Sequence, residues 1–77
     1  MVNSEVIILK NKLAEIRILK NYSQNKLAEL LYVSQQTFSS WETGRTIPKP
    51  HQMQHLEDIL GVDKEVVFFK DFNYKIK

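Results

Sequence analysis

Cysteine is absent from this sequence, which excludes disulfide frameworks and thiolate metal sites and makes a reducing, cytoplasmic setting the simplest expectation. Glycine and proline are scarce, at two each, and 43% of residues are hydrophobic against 26% charged. That composition excludes fibrous and low-complexity chains and fits a compact, mostly helical fold. Long apolar runs are missing as well: the run from Val6 to Leu9 stops at Lys10, too short for a membrane span and without the flanks of a secretory leader. A large charge of one sign is also lacking, since 11 Lys and Arg against 9 Asp and Glu leave a net +2. Net charge alone therefore does not identify a nucleic-acid binder, and the distribution has to. Glu57, Asp58, Asp63 and Glu65 gather late in the chain, whereas Lys20, Lys26, Arg45 and Lys49 flank its centre.

With 77 residues there is room for one modest core and no second module, so a single domain has to carry the function. Residues 1–70 are expected to form an all-α unit of five helices, followed by an extended tail at 71–77. Ser4 is a candidate cap for a first helix running to about Lys20, with Val6, Leu9, Leu13, Ile16 and Leu19 at helical spacing. Asn21 then suits a left-handed stop. Ser23 caps a short second helix with apolar Leu27, Ala28, Leu30 and Leu31, and Ser34 caps a third, Gln35 to Glu42, whose Phe38 and Trp41 face the core. Gly44 closes that helix, and Pro48 forces an extended stretch. Pro50 opens a fourth helix with Met53, Leu56, Ile59 and Leu60 as its buried stripe. Gly61 ends it, Val62 plugs the core and Asp63 caps a last turn through Val66 and Val67. From Asp71 onward apolar and polar residues alternate, which is the period of a strand.

The third helix is chemically unusual. Exposed helix positions are ordinarily filled with Glu, Lys and Arg, yet here they are Gln35, Gln36, Thr37, Ser39 and Ser40, with no charge before Glu42. Short amides and hydroxyls both donate and accept, so they suit base edges, and Gln forms a bidentate pair with adenine N6 and N7.

The ordered set Leu13-x-x-x-Arg17, Ser23-Gln24-x-x-Leu27-Ala28, Val33-Ser34-Gln35, Trp41-Glu42-x-Gly44-Arg45, Pro48 and Leu60-Gly61-Val62 resembles the Cro and repressor family of helix-turn-helix proteins. The likeness covers about Leu13 to Phe68, with the helix-turn-helix itself at 24–43. It implies a sequence-specific regulator of transcription that binds an operator in double-stranded DNA, of phage or mobile-element origin and working as a homodimer. By this resemblance Gln35, Gln36 and Ser40 face bases, and Thr37 and Ser39 lie at the groove edge. Ser23, Gln24, Lys26, Thr43, Arg45 and Lys49 hold the DNA backbone, and Gln24 also braces Gln35. Arg17 and Glu42 occupy positions that pair in a partly buried salt bridge. Two departures stand out: the inter-helix turn has Tyr32 where the family usually has Gly, and the reading helix carries no Arg or Lys.

Phe68, Phe69, Phe72, Tyr74 and Ile76 exceed what a chain end needs. They either fold back over the core, with Val6, Ile7 and Ile8 as the nearest cover, or contact another chain. The second is favoured because an exposed alternating strand invites pairing. This surplus, the low net charge and the neutral reading helix also fit an alternative of the same fold, an antirepressor or antitoxin that binds a partner repressor or toxin. His51 and His55 stand four apart on the fourth helix without a third ligand, and Gln52 follows where a zincin has Glu, so no metal site is expected. No nucleophile and base pair, phosphate loop or carboxylate pair suggests an enzyme, a cofactor or a small-molecule substrate.

Overall fold

Each of the four α-helices is started and stopped by hydrogen bonds or backbone conformations that can be traced to particular residues. The computed structural model describes residues 11–69, so Ser4, Val6, Leu9, the alternating tail and its Phe72, Tyr74 and Ile76 lie outside the described residues. The helices are α1 (Leu13–Leu19), α2 (Gln24–Leu30), α3 (Gln35–Glu42), α4 (Pro50–Leu60) and a closing π-wound turn, α5 (Glu65–Phe69). No strand occurs among the described residues, and no helix there is long and apolar enough to cross a membrane.

The expected continuous first helix is interrupted. Asn11 and Lys12 are not helical: the Asn11 Oδ1 accepts the Leu13 N–H at 2.9 Å, and the Lys12 N–H donates to Val67 O at 2.9 Å. Helix α1 therefore starts at Leu13 on a long-range bond. Its buried residues are Leu13 and Ile16, while Leu19, expected to extend the apolar stripe, is 77% exposed. The later caps fall where the sequence places them. Ser23 Oγ accepts the Lys26 N–H, and Ser34 Oγ accepts the Thr37 N–H, both at 3.0 Å. At α4 the Lys49 N–H donates to Gln52 Oε1 at 2.8 Å, and Pro50 follows at the first helical position. The last turn differs in detail, because it is the Asp63 backbone carbonyl that accepts Val66 and Val67 N–H.

Three successive helices close in the same way. In α1, Tyr22 N–H donates to Arg17 O and Asn21 N–H to Ile18 O; in α2, Val33 N–H donates to Ala28 O and Tyr32 N–H to Glu29 O; in α3, Arg45 N–H donates to Ser40 O and Gly44 N–H to Trp41 O. These paired bonds satisfy carbonyls that a helix end otherwise leaves open, and they need a left-handed residue at the pivot. The pivots are Asn21 (φ 65°), Tyr32 (φ 60°) and Gly44 (φ 82°). Tyr32 thus keeps the turn geometry that Gly would give, with a side chain that is 89% exposed and so gains little from packing. The strain of such a residue is about 1 kcal/mol, and Asn tolerates the conformation better. Tyr32→Asn is expected to raise the thermal midpoint by several degrees, at roughly 4–8 °C per kcal/mol for a domain of this size. Circular dichroism melts check this, and an unchanged or lower midpoint would show that the Tyr32 ring is itself stabilising.

The core gathers Leu13 and Ile16 of α1, Leu27 and Ala28 of α2, Phe38 and Trp41 of α3, Met53, Leu56 and Leu60 of α4, and Val67 and Phe68 of α5, with Leu31 at the turn. Phe38 and Trp41 meet at 5.7 Å between ring centroids in a tilted arrangement, and each buried side chain of this size contributes about 1.5–3 kcal/mol. Phe68, expected as a contact for another chain, is instead a core residue, and Phe69 packs partly buried against that core with its ring 6.3 Å from that of Phe68. The apolar surplus at this end is used within the chain as far as Phe69. On the far side of α4, Lys64 Nζ donates to Glu57 Oε1 and Gln54 Oε1 at 3.2 Å. The hydrogen bond from Lys64 holds the Glu57 carboxyl below its ordinary range.

Candidate nucleic-acid interface

Helices α2 and α3 pack against one another, and α1 lies across α3. Their apolar residues fix which way α3 faces: Phe38 and Trp41 point inward, which leaves Gln35, Gln36 and Thr37 exposed and Ser39 half-buried. The turn at Tyr32 sets the angle between the two helices through its two backbone bonds.

Behind the exposed amides runs a chain of hydrogen bonds, three of them charge-assisted. Arg17 Nε donates to Glu42 Oε2 at 2.5 Å, and Arg17 Nη1 donates to Tyr22 O at 3.0 Å. The other carboxylate oxygen, Glu42 Oε1, accepts from Gln24 Nε2 at 2.8 Å, and Gln24 Oε1 in turn accepts from Gln35 Nε2 at 3.1 Å. A carboxylate can only accept, so Gln24 must turn its NH2 toward Glu42 and its carbonyl toward Gln35. This removes the usual ambiguity in amide orientation. Gln35 must then donate to Gln24, and its carbonyl oxygen and second N–H stay available to solvent. The Gln36 side chain makes no hydrogen bond among the described residues and is exposed.

Ser40 does not join this face. It is 9% exposed, and its hydroxyl donates to Thr37 O at 2.7 Å and lies 2.5 Å from Thr46 Oγ1. The loop after α3 folds back over this end of the helix, so a position one turn beyond Gln36 is covered. Thr37 is exposed, with its Oγ1 accepting from Ser34 Oγ at 3.0 Å.

Of the residues expected to hold a phosphate backbone, Ser23, Lys26, Thr43, Arg45 and Lys49 are exposed and Gln24 is half-buried. Ser23 Oγ serves as the α2 cap, and Thr43 Oγ1 donates to Ser40 O at 3.2 Å. Those hydroxyls already have intrachain work. Lys26, Arg45 and Lys49 take part in no ion pair among the described residues, so their charge remains available. His51 and His55 are exposed on α4. Sequence reasoning passed over Thr46 and Asn11: nothing local marks a hydroxyl two residues past Gly44, or an Asn whose Nδ2 donates to Trp41 O at 2.9 Å.

A curated relative, the HTH-type transcriptional activator BcrR of Enterococcus faecalis, is 37% identical over 51 residues, which is 66% of this chain and 25% of the relative. The chain thus spans about a quarter of that protein's length. No solved structure matches the chain. The family model described as helix-turn-helix matches residues 13–67, from the first residue of α1 into α5. The chain belongs to the helix-turn-helix family, in its Cro and repressor type.

Proposed function

We propose that this chain is a DNA-binding regulator of transcription that lays α3 in the major groove of an operator. The observation that carries the reading is the relay from Arg17 through Glu42 and Gln24 to Gln35. It holds a neutral amide with one acceptor and one donor directed outward, the pattern that matches adenine N6 and N7. Gln36 reads a neighbouring base, Thr37 and Ser39 line the groove edge, and Lys26, Arg45 and Lys49 neutralise phosphates. Phosphate contacts of this kind position the protein, and base contacts specify the sequence. A single module spans few base pairs, whereas specific binding usually exceeds non-specific binding by about 4–10 kcal/mol. Two copies on half-sites about one helical turn apart supply the difference. The relative's name supports control of transcription and speaks of activation; either direction of control is compatible with this site.

Duplexes enriched from a random pool by the wild-type chain, titrated at two salt concentrations, test the proposal. The expected result is a logarithmic salt slope of about −0.9 per neutralised phosphate. A chain that enriches no duplex, and instead binds a neighbouring regulator or toxin with little salt dependence, would overturn it in favour of a protein-masking role.

A further inference from the structure

Most of the bonds that hold the loop after α3 converge on Ser40. The Ser40 carbonyl accepts the Arg45 N–H at 3.0 Å, the Thr46 N–H at 3.2 Å and the Thr43 hydroxyl at 3.2 Å. Its own hydroxyl donates to Thr37 O at 2.7 Å. A hydroxyl has one proton, and that of Ser40 is committed to Thr37 O. The 2.5 Å contact between Ser40 Oγ and Thr46 Oγ1 is therefore carried by the Thr46 proton. With the Thr43 proton also spent on Ser40 O, neither threonine has a hydroxyl proton left for a phosphate. The four amides from Thr43 to Thr46 are likewise taken, by Ser39 O, Trp41 O and Ser40 O. What this segment can offer DNA is the exposed Arg45 guanidinium.

The geometry points to Ser40 and Thr46 as positioning residues: their hydroxyl pair locks the Arg45 loop to the reading helix, so that base reading and backbone grip move as one body. This rests on the DNA-binding reading above and extends it, because it assigns Ser40 to the inside of the interface and gives Thr46 a role. The lock holds Arg45 at a fixed offset from Gln35 and Gln36. Its loss weakens binding to every duplex alike and leaves base preference intact.

Thr46 is exposed, so Thr46→Val keeps the shape and removes the proton without endangering the core, and Thr46→Ser restores the proton. The probes are a duplex enriched by the wild-type chain and an unrelated duplex of equal length. Thr46→Val is expected to weaken both by about three- to tenfold, the size of one net hydrogen bond, with their ratio unchanged. Thr46→Ser is expected to bind as wild type, and Ser40→Ala with Thr46→Val together no more weakly than the weaker single variant, since coupled partners are not additive. Independently of DNA, the amides of Arg45 and Thr46 should exchange faster with deuterated solvent in Thr46→Val, while those of α4 do not. Wild-type binding by Thr46→Val, additive losses in the double variant or unchanged exchange would each overturn the lock. A wild-type chain that binds no duplex would instead defeat the DNA reading, and the exchange result would still decide whether the hydroxyl pair holds the loop.

Discussion

Arg17→Met is expected to cost about 3–5 kcal/mol of folding stability, the largest loss of any single substitution considered for this chain. The guanidinium and carboxylate of the Arg17–Glu42 pair are only 15% and 8% exposed. Removing the cation leaves the Glu42 carboxylate buried with Gln24 as its remaining partner, and it also frees the Tyr22 carbonyl between α1 and α2. A chain of 77 residues has about 4–12 kcal/mol of total stability, so the variant should lose from about a quarter to all of that margin, and its urea midpoint should fall accordingly. Urea titration followed by Trp41 fluorescence measures this directly. Replacing both partners with Met should recover most of the stability, because two well-packed apolar side chains leave no buried charge. That double variant would nevertheless lose the carboxylate that orients Gln24, so a stable fold should coexist with poor base discrimination. A cost below about 1 kcal/mol for Arg17→Met would mean that water screens the pair as it does on open surfaces.

Gln35→Ala should reduce affinity for an enriched duplex by about 5- to 150-fold and leave affinity for unrelated DNA nearly unchanged. The estimate follows from about 1–3 kcal/mol of discrimination per bidentate amide–base pair, at about 1.4 kcal/mol per tenfold. Gln24→Ala should have a smaller effect in the same direction, since Gln35 keeps its amide but loses the partner that orients it. Competition binding against unrelated duplex separates the two contributions. Equal losses on both duplexes would place Gln35 on the phosphate backbone instead of the bases.

Much of this was legible because it depends on neighbours in sequence. Ser23, Ser34, Pro50 and Gly61 each mark a helix boundary through bonds or conformations within a few residues, and the buried stripes of α2, α3 and α4 follow from spacing alone. The neutral polar face of α3 was visible for the same reason, and the Arg17, Glu42, Gln24 and Gln35 positions were supplied by the family resemblance. What escaped was decided by distant partners. The break before Leu13 depends on Lys12 reaching Val67 and on Asn11 reaching Trp41, neither of which has a periodic signature. Ser40 has the residue type and spacing of a base reader; only the returning loop, held by Thr46, turns it into an internal link. For Phe68 both a fold back over the core and a contact with another chain stay open in sequence, because a run of aromatics near a chain end looks the same either way; the structure places it in the core. Tyr32 shows the reverse case: an unfavourable residue at a left-handed pivot left the turn intact, since its two backbone bonds outweigh the local cost.

The side chain of Asn11 ties two helix ends together. One amide caps the beginning of α1 and donates to the carbonyl of Trp41 near the end of α3, so unwinding of the first turn of α1 that carries Asn11 away also releases a bond at the end of α3. Opening at Asn11 is thereby coupled to loosening at the end of α3, so amide exchange at these two helix ends should rise together.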